Sequence, residues 1–482
     1  MDFILYSSAI LVVLALLFFA IERPYVVAAV LVFCFVYRFN VELPGPLDAR
    51  GLLTLFLLGR LFLFDNHNYQ LVRKYLFRNF NFALLVLFLL ISFYTTYSYY
   101  GELKEQVQLV FLLLVSIILG FIIIINGQGQ KVFLRAIVFS GVLSTIDLLW
   151  SIIKYGTLNI RSLLKTVLLH ESLNEYSAYN HGTLALICCF ALVMVYFSYI
   201  KKQMPRLVSA PLILFLSLGV IISTSRSTII AMIFAFVILF IVQKEIQFNL
   251  KKIMRMVFGF ALFFISFYFI YNALLSSGDF KMSFIDETYY RLYEEPMSLL
   301  GGNEKKVFDE YGDAKVRNSE WRYNRSMKGL AKYSRLNLKI QMFGLGIGGY
   351  ENKNFGEDYS RGYTLGAHNG YLLILIERGI IGLLIYIYII LYLSFKSFKL
   401  LRQGLIDTPI VYVFLTLAFF SIGNNAELTN QLAFLLLGAM FANIKEGLTS
   451  NYAIEESLNI SSDRGINNQL VEKEEPSLIL KK

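Results

Sequence analysis

Long apolar runs separated by short polar stretches repeat along this chain. They lie near residues 3–21, 25–38, 49–64, 82–98, 106–125, 133–153, 182–199, 208–224, 228–242, 256–274, 369–394, 408–423 and 429–443. A helix needs about 20 residues to cross a bilayer. In hydrocarbon, every backbone N–H and C=O must be paired within the segment. The pattern therefore predicts an all-α polytopic transmembrane helical bundle of about 12–13 spans. The second and third runs are short and also read as one re-entrant pair. The first run, Phe3 to Ile21, has no basic leading stretch and no small-residue cleavage site after it, so it reads as a retained span.

One polar segment interrupts the runs, and it divides the chain. Residues 1–275 form an N-terminal set of about ten spans. Residues 276–367 form a large loop, 368–445 the last spans, and 446–482 a mixed-charge tail expected to be disordered and cytoplasmic. Within the loop, Ser319 to Leu336 reads as a helix with Ser319 as N-cap and Glu320 in its first turn. Arg325, Lys328, Lys332 and Arg335 recur on one face of it.

Charge sets the orientation. The chain carries a formal net charge of +10, which by itself would fit nucleic-acid affinity. The excess, however, sits in short loops: Arg73, Lys74 and Arg78; Lys201, Lys202 and Arg206; Lys244, Lys251, Lys252 and Arg255; Lys396, Lys399 and Arg402. All four fall on one side of the bundle, the cytoplasmic side by the positive-inside rule. The loop 276–367 is then extracytoplasmic, and nucleic acid is not an expected partner. Only 16% of the chain is charged, against about 25% in soluble proteins. The three cysteines, Cys34, Cys188 and Cys189, lie in apolar runs and indicate neither a disulfide framework nor a metal site.

Candidate chemistry gathers at the outer rim. Arg226, in STSRSTII, stands where one span ends and the next begins. It reads equally as a snorkelling arginine and as a guanidinium fork aimed at a lipid phosphate. Arg322 and Arg325 begin the loop helix, either as a solvated face or as a second cationic contact to a diphosphate. The run Gly344, Gly346, Gly348, Gly349 and then Tyr350 reads as a tight turn back to the membrane, with an anion nest as the alternative. His368 and Asn369 precede a long apolar run. Asn369 is a plausible N-cap, and His368 is either interfacial or a base or phosphate ligand. Inside that run, Glu377 and Arg378 are costly charges that are usually paired within a bundle, and Gly379 and Gly382 indicate close packing or a break. A further polar cluster runs from His170 to Gly182; its Asn180 and His181 are candidates for a sugar-binding surface, beside the reading as an ordinary loop. There is no HExxH, Gly-x-Ser-x-Gly or Walker motif, nor an outward Asp-x-Asp for a metal-bound sugar nucleotide.

Taken together, STSRSTIIA, SEWRYNRSMKGL, GLGIGGY and AHNGYLLILIERGIIGLL resemble the O-antigen ligase and O-antigen polymerase (Wzy) superfamily of bacterial envelope glycosyltransferases. The resemblance implies a GT-C-like bundle in the bacterial inner membrane, with one large outer loop containing short helices. It implies transfer of a glycan from undecaprenyl diphosphate to a glycan or glycolipid acceptor, with inversion, without a cofactor and without metal. Arg226 and Arg322, with Arg325 as rival, match the arginines that hold the diphosphate, and His368 matches the histidine that activates the acceptor hydroxyl or holds the leaving group. Asn369, Gly346, Gly348, Tyr350, Asn180 and His181 are the expected substrate contacts. Membrane lipid and a chain-length regulator protein are the further partners expected. Polymerase is the reading taken, because polymerases are more numerous; ligase and lipid-linked sugar transporter are the alternatives.

Overall fold

The structure is a computed structural model. It describes residue 16 and residues 21–36, 49–99, 103–155, 181–223, 225–242, 317–346, 350, 369–406, 409–422 and 430–449, some of them near helix ends by backbone only. The expected spans 3–21 and 256–274 and the tail 446–482 lie largely outside these residues. Among those described there is helix and no strand.

In chain order the helices are α1 (Pro24–Val36), α2 (Ala49–Leu58), α3 (Asn66–Leu71), α4 (Phe80–Tyr99), α5 (Leu103–Ile125), α6 (Gly127–Tyr155), α7 (His181–Ile200), α8 (Arg206–Ile222), α9 (Arg226–Val242), α10 (Arg317–Ser334), α11 (Leu338–Phe343), α12 (Gly370–Arg402), α13 (Ile410–Phe420) and α14 (Gln431–Thr449). Helices α2 and α3 each continue into a π-helical turn, Gly59–Leu63 and Val72–Leu76. Four segments are long and apolar enough to cross a bilayer: Val107–Ile125, Gly127–Leu149, Gly370–Arg402 and Gln431–Thr449. A fifth is a broken pair, Asn66–Leu76 with Phe80–Ile91, bent by 87°. The other described runs appear as apolar helices of 10–17 residues. The junction of the re-entrant pair expected from the second and third runs, residues 37–48, lies outside the described residues; the bend described falls at the next junction.

One large apolar core joins α1 to α9 with α12, α13 and α14. Hydrophobic side chains alone do not hold helices together in lipid, where the tails are equally apolar. Close backbone approach does. A Cβ on Gly120 of α5 would overlap the Leu435 carbonyl of α14, and one on Gly438 of α14 would overlap the Ile117 carbonyl of α5. The two glycines therefore face each other's helix across one seam.

Basic loops converge on one end of the bundle. Lys445 lies over the Tyr75 ring at 4.7 Å, next to Arg73 and Lys74. Tyr412 touches Phe197 and Phe398 at ring centroid distances of 6.1 and 5.8 Å, which brings Lys201 and Lys202 level with Lys399. Residues α10 and α11 stand at the opposite, loop end of α12.

Candidate functional site

The loop end is built on an interruption of α12. Gly379 has φ 69° and ψ −177°, a region essentially restricted to glycine. The part after it, residues 380–402, is about 34 Å long at 1.5 Å per residue and spans the roughly 30 Å hydrocarbon core by itself. The part before it, 370–378, is additional length at the loop end.

A break in a helix strands backbone groups, and here the loop takes them up. The N–H groups of Leu345 and Gly346 donate to the carbonyls of Ile376 and Glu377, both at 2.8 Å. The Ile380 N–H faces the hydroxyl of Tyr333 on α10. The fit is tight on both sides. A Cβ on Gly344 would overlap the Glu377 carbonyl, and one on Gly379 would overlap the carbonyl of Met342. Gly344 (φ 80°) and Gly346 (φ 87°) are both in the left-handed region. The run GLG is therefore a plug in α12. Its N–H groups at 345 and 346 are consumed there, so the anion nest considered for this run is not built from them.

A small second core seals the plug: Tyr333, Ile340, Leu345, Tyr350, Leu372 and Ile376. Helix α10 turns Gly329 and Tyr333 into it and leaves Lys328, Lys332 and Arg335 exposed, as the basic stripe predicts for a solvated face. Burial pushes the Tyr333 phenol up to about 12, so it stays a donor, and its partner is the Gln341 carbonyl. Asn337 caps α11 through Ile340 N–H at 2.9 Å. Tyr350, expected to meet a sugar, is only 1% exposed and packs in this core. Helix α10 begins at Arg317, so Ser319 sits inside its first turn and is not the N-cap.

The start of α12 is fixed from the other side by α13. Asn369 caps α12, as its position predicts, accepting from Tyr371 and Leu372 N–H at 3.0 Å each. The last turn of a helix has unused carbonyls; in α13 the Ser421 carbonyl accepts from Gly370 N–H at 2.7 Å and the Ala418 carbonyl from the Tyr371 hydroxyl at 3.2 Å. Helix α9 packs on the same α13, with Phe234 stacked on Phe419 at 4.7 Å. Arg226 opens α9. The turn before it is held by buried hydroxyls, with Ser223 Oγ donating to the Val220 carbonyl at 2.6 Å and Ser225 Oγ paired with Thr228 Oγ1 at 2.9 Å. The N-termini of α9 and α12, the positive ends of their dipoles, thus belong to two helices braced by one neighbour.

Three groups of expected residues stand differently. Asn369 and Gly346 are placed with their hydrogen bonds. Arg226 and His181 are placed by backbone as the first residues of α9 and α7, and Arg322 and Arg325 lie inside α10, which starts at Arg317, so they do not begin that helix as expected; the side chains of all four lie outside the description. His368, Gly348 and Asn180 lie outside the described residues; His368 directly precedes the capped Asn369.

Arg378 emerges as more than a charge in an apolar run. It and Glu377 are the charged side chains buried among the described residues, at 1% and 6% exposure. The guanidinium carbon of Arg378 lies 4.1 Å from the centre of the Phe88 ring on α4. Its Nε and Nη1 find no hydrogen-bond acceptor among the described residues. Phe88 in turn stacks on Tyr386 at 4.8 Å. Gly382 gives the side chain its passage, since a Cβ there would crowd the Arg378 Cβ at 2.5 Å. A charge buried at the end of a membrane span is costly and reads as a functional signal; in the sequence, its position one residue before a glycine break was the available clue.

Residues 211–387 match the family model Wzy_C, described as O-antigen ligase. The match runs from within α8 to within α12 and so contains Arg226, Arg322, His368 and the Gly379 break. Over those residues the chain is similar to the O-antigen ligase family, and its apolar helices make it a multi-pass membrane protein. No curated protein matches it.

Proposed function

We propose that this chain, through its O-antigen ligase domain, joins lipid-linked oligosaccharide repeat units into a polysaccharide at the outer face of the cytoplasmic membrane. The donor is a glycan on undecaprenyl diphosphate, and the acceptor is the terminal sugar of another such lipid. The observation that supports this reading most directly is the bracing of α9, which begins with Arg226, and α12, which follows His368, on the single helix α13, with the α10 platform plugged into α12 beside them.

The chemistry follows from what a departing diphosphate needs. The acceptor hydroxyl attacks the anomeric carbon from the face opposite the diphosphate. A new C–O bond forms as the bond to the diphosphate breaks, and the configuration inverts. The hydroxyl proton passes to His368, whose ordinary pKa of about 6.5 suits a general base. Arg226 and Arg322 take up the charge gathering on the lipid diphosphate through charge-assisted hydrogen bonds. The sharing of basic loops at one end supports the orientation, with loop 276–367 outside and the basic end in the cytoplasm.

The test uses purified full-length protein in liposomes with a lipid-linked repeat unit. Lengthened lipid-linked product without added lipid A–core establishes a polymerase. Product only when lipid A–core is supplied establishes a ligase. Transbilayer movement with no new glycosidic bond establishes a transporter and overturns the enzymatic reading. Arg226→Ala and His368→Ala are each expected to slow bond formation about 10²–10³-fold while the protein still inserts; normal product length in either removes that residue from the mechanism.

A further inference from the structure

At the basic end, α9 and α12 part to leave a cavity of about 550 Å³. Its walls are ordered. Ile241, Phe395 and Phe398 line the part toward the bundle, and Lys399, Arg402 and Gln403 line the part toward the end. On α12, positions 395, 398, 399 and 402 fall on one helical face, so two aromatic rings precede two cations along one line. Among the described residues, neither Lys399 nor Arg402 has an ion-pair partner and no acidic residue lines the cavity.

Two exposed apolar stripes run into this cavity. On α9, Ile230, Ile233, Val237 and Ile241 are 46–72% exposed. On α12, Leu384, Tyr388, Leu391 and Phe395 are 46–69% exposed. Both sets recur at helical spacing, and both end at cavity walls, in Ile241 and Phe395. The result is two apolar tracks meeting at one polar, doubly cationic end.

From this arrangement we infer a binding site for a two-chain anionic glycerophospholipid of the cytoplasmic leaflet. The acyl chains lie along the α9 and α12 tracks. The headgroup phosphate sits between Lys399 and Arg402, with Gln403 as a neutral hydrogen-bond partner. Basic pockets between spans on the cytoplasmic side suit such headgroups, and each Lys or Arg near the surface adds roughly 1 kcal/mol of attraction, about a five-fold gain in affinity. This site is separate from the transfer reaction and stands at the other ends of the helices that carry Arg226 and follow Asn369. Occupancy would clamp those two helices together at their bases.

Native mass spectrometry of the purified full chain tests it, with phosphatidylglycerol titrated against phosphatidylcholine of the same acyl chains. The wild type is expected to retain one phosphatidylglycerol at concentrations where phosphatidylcholine is lost. Lys399→Gln with Arg402→Gln should lower that retention at least ten-fold, and Lys201→Gln with Lys202→Gln, at the same end, should leave it unchanged. All four positions are at the rim of the bundle, so the variants are expected to fold, and a monodisperse elution profile checks this. Equal retention of the two lipids overturns the inference. So does equal loss in both double variants, which marks general surface charge, and so does displacement by inorganic phosphate, which marks a soluble anion as the ligand.

Discussion

The transmembrane bundle and the platform on α12 are held by different forces. In the bundle, side chains leave one apolar solvent for another, and the seam between α5 and α14 depends on Gly120 and Gly438 bringing backbones together. In the platform, six side chains leave water for a small core, and broken-helix carbonyls are paired by loop N–H groups. One region is fixed by what is small, the other by what is buried. The protein thus attaches a platform built by soluble-protein physics to a lipid-soluble scaffold.

Substitutions should separate the two. The largest effect is expected at the joint. Gly379→Val forces a β-branched residue into a glycine-only conformation, about 1–3 kcal/mol in backbone strain alone, and its Cβ overlap with the Met342 carbonyl adds a backbone clash that no rotamer relieves. The platform should detach: protease cuts the 317–346 region in intact membranes and transfer activity disappears. Full protection would show that the joint is not what holds it. Next, Ile376→Ala should cost about 2–5 kcal/mol, raising cleavage in the same region while leaving the spans protected. Gly438→Val should do the opposite at about 1–3 kcal/mol, loosening the spans in thermal unfolding while the platform stays protected. If both substitutions loosen both regions, the two cores are one cooperative unit. The smallest effect is Asn369→Ala, about 1 kcal/mol from the lost cap, seen as a lower affinity for donor lipid with little change in thermal midpoint.

Run length and charge made the bundle legible. Apolar stretches marked α4 to α9 and α12 to α14, and the positive loops foretold the common end at which Tyr75, Lys445, Lys399 and Val242 are found. Local chemistry also carried the Asn369 cap and the break at Gly379, because both depend on neighbours in sequence. The plug did not show. Nothing near Leu345 indicates that its N–H seeks the carbonyl of Ile376, a partner 31 residues later in the chain. The same distance hid the burial of Tyr350, which reads as a surface aromatic in GLGIGGY. The 87° bend between α3 and α4 was missed for another reason: the helical stretch Asn66–Leu76 carries Arg73 and Lys74 and is polar at its start, so it reads as a loop.

The hydrogen bonds from residues 345 and 346 to residues 376 and 377 also constrain how the molecule is made. The loop is synthesised before the helix whose carbonyls complete it. Its glycine run must then wait with open valences until the late span arrives. A truncation that stops short of Gly370 would leave those donors in water for good, and one that stops soon after Arg402 would let them close.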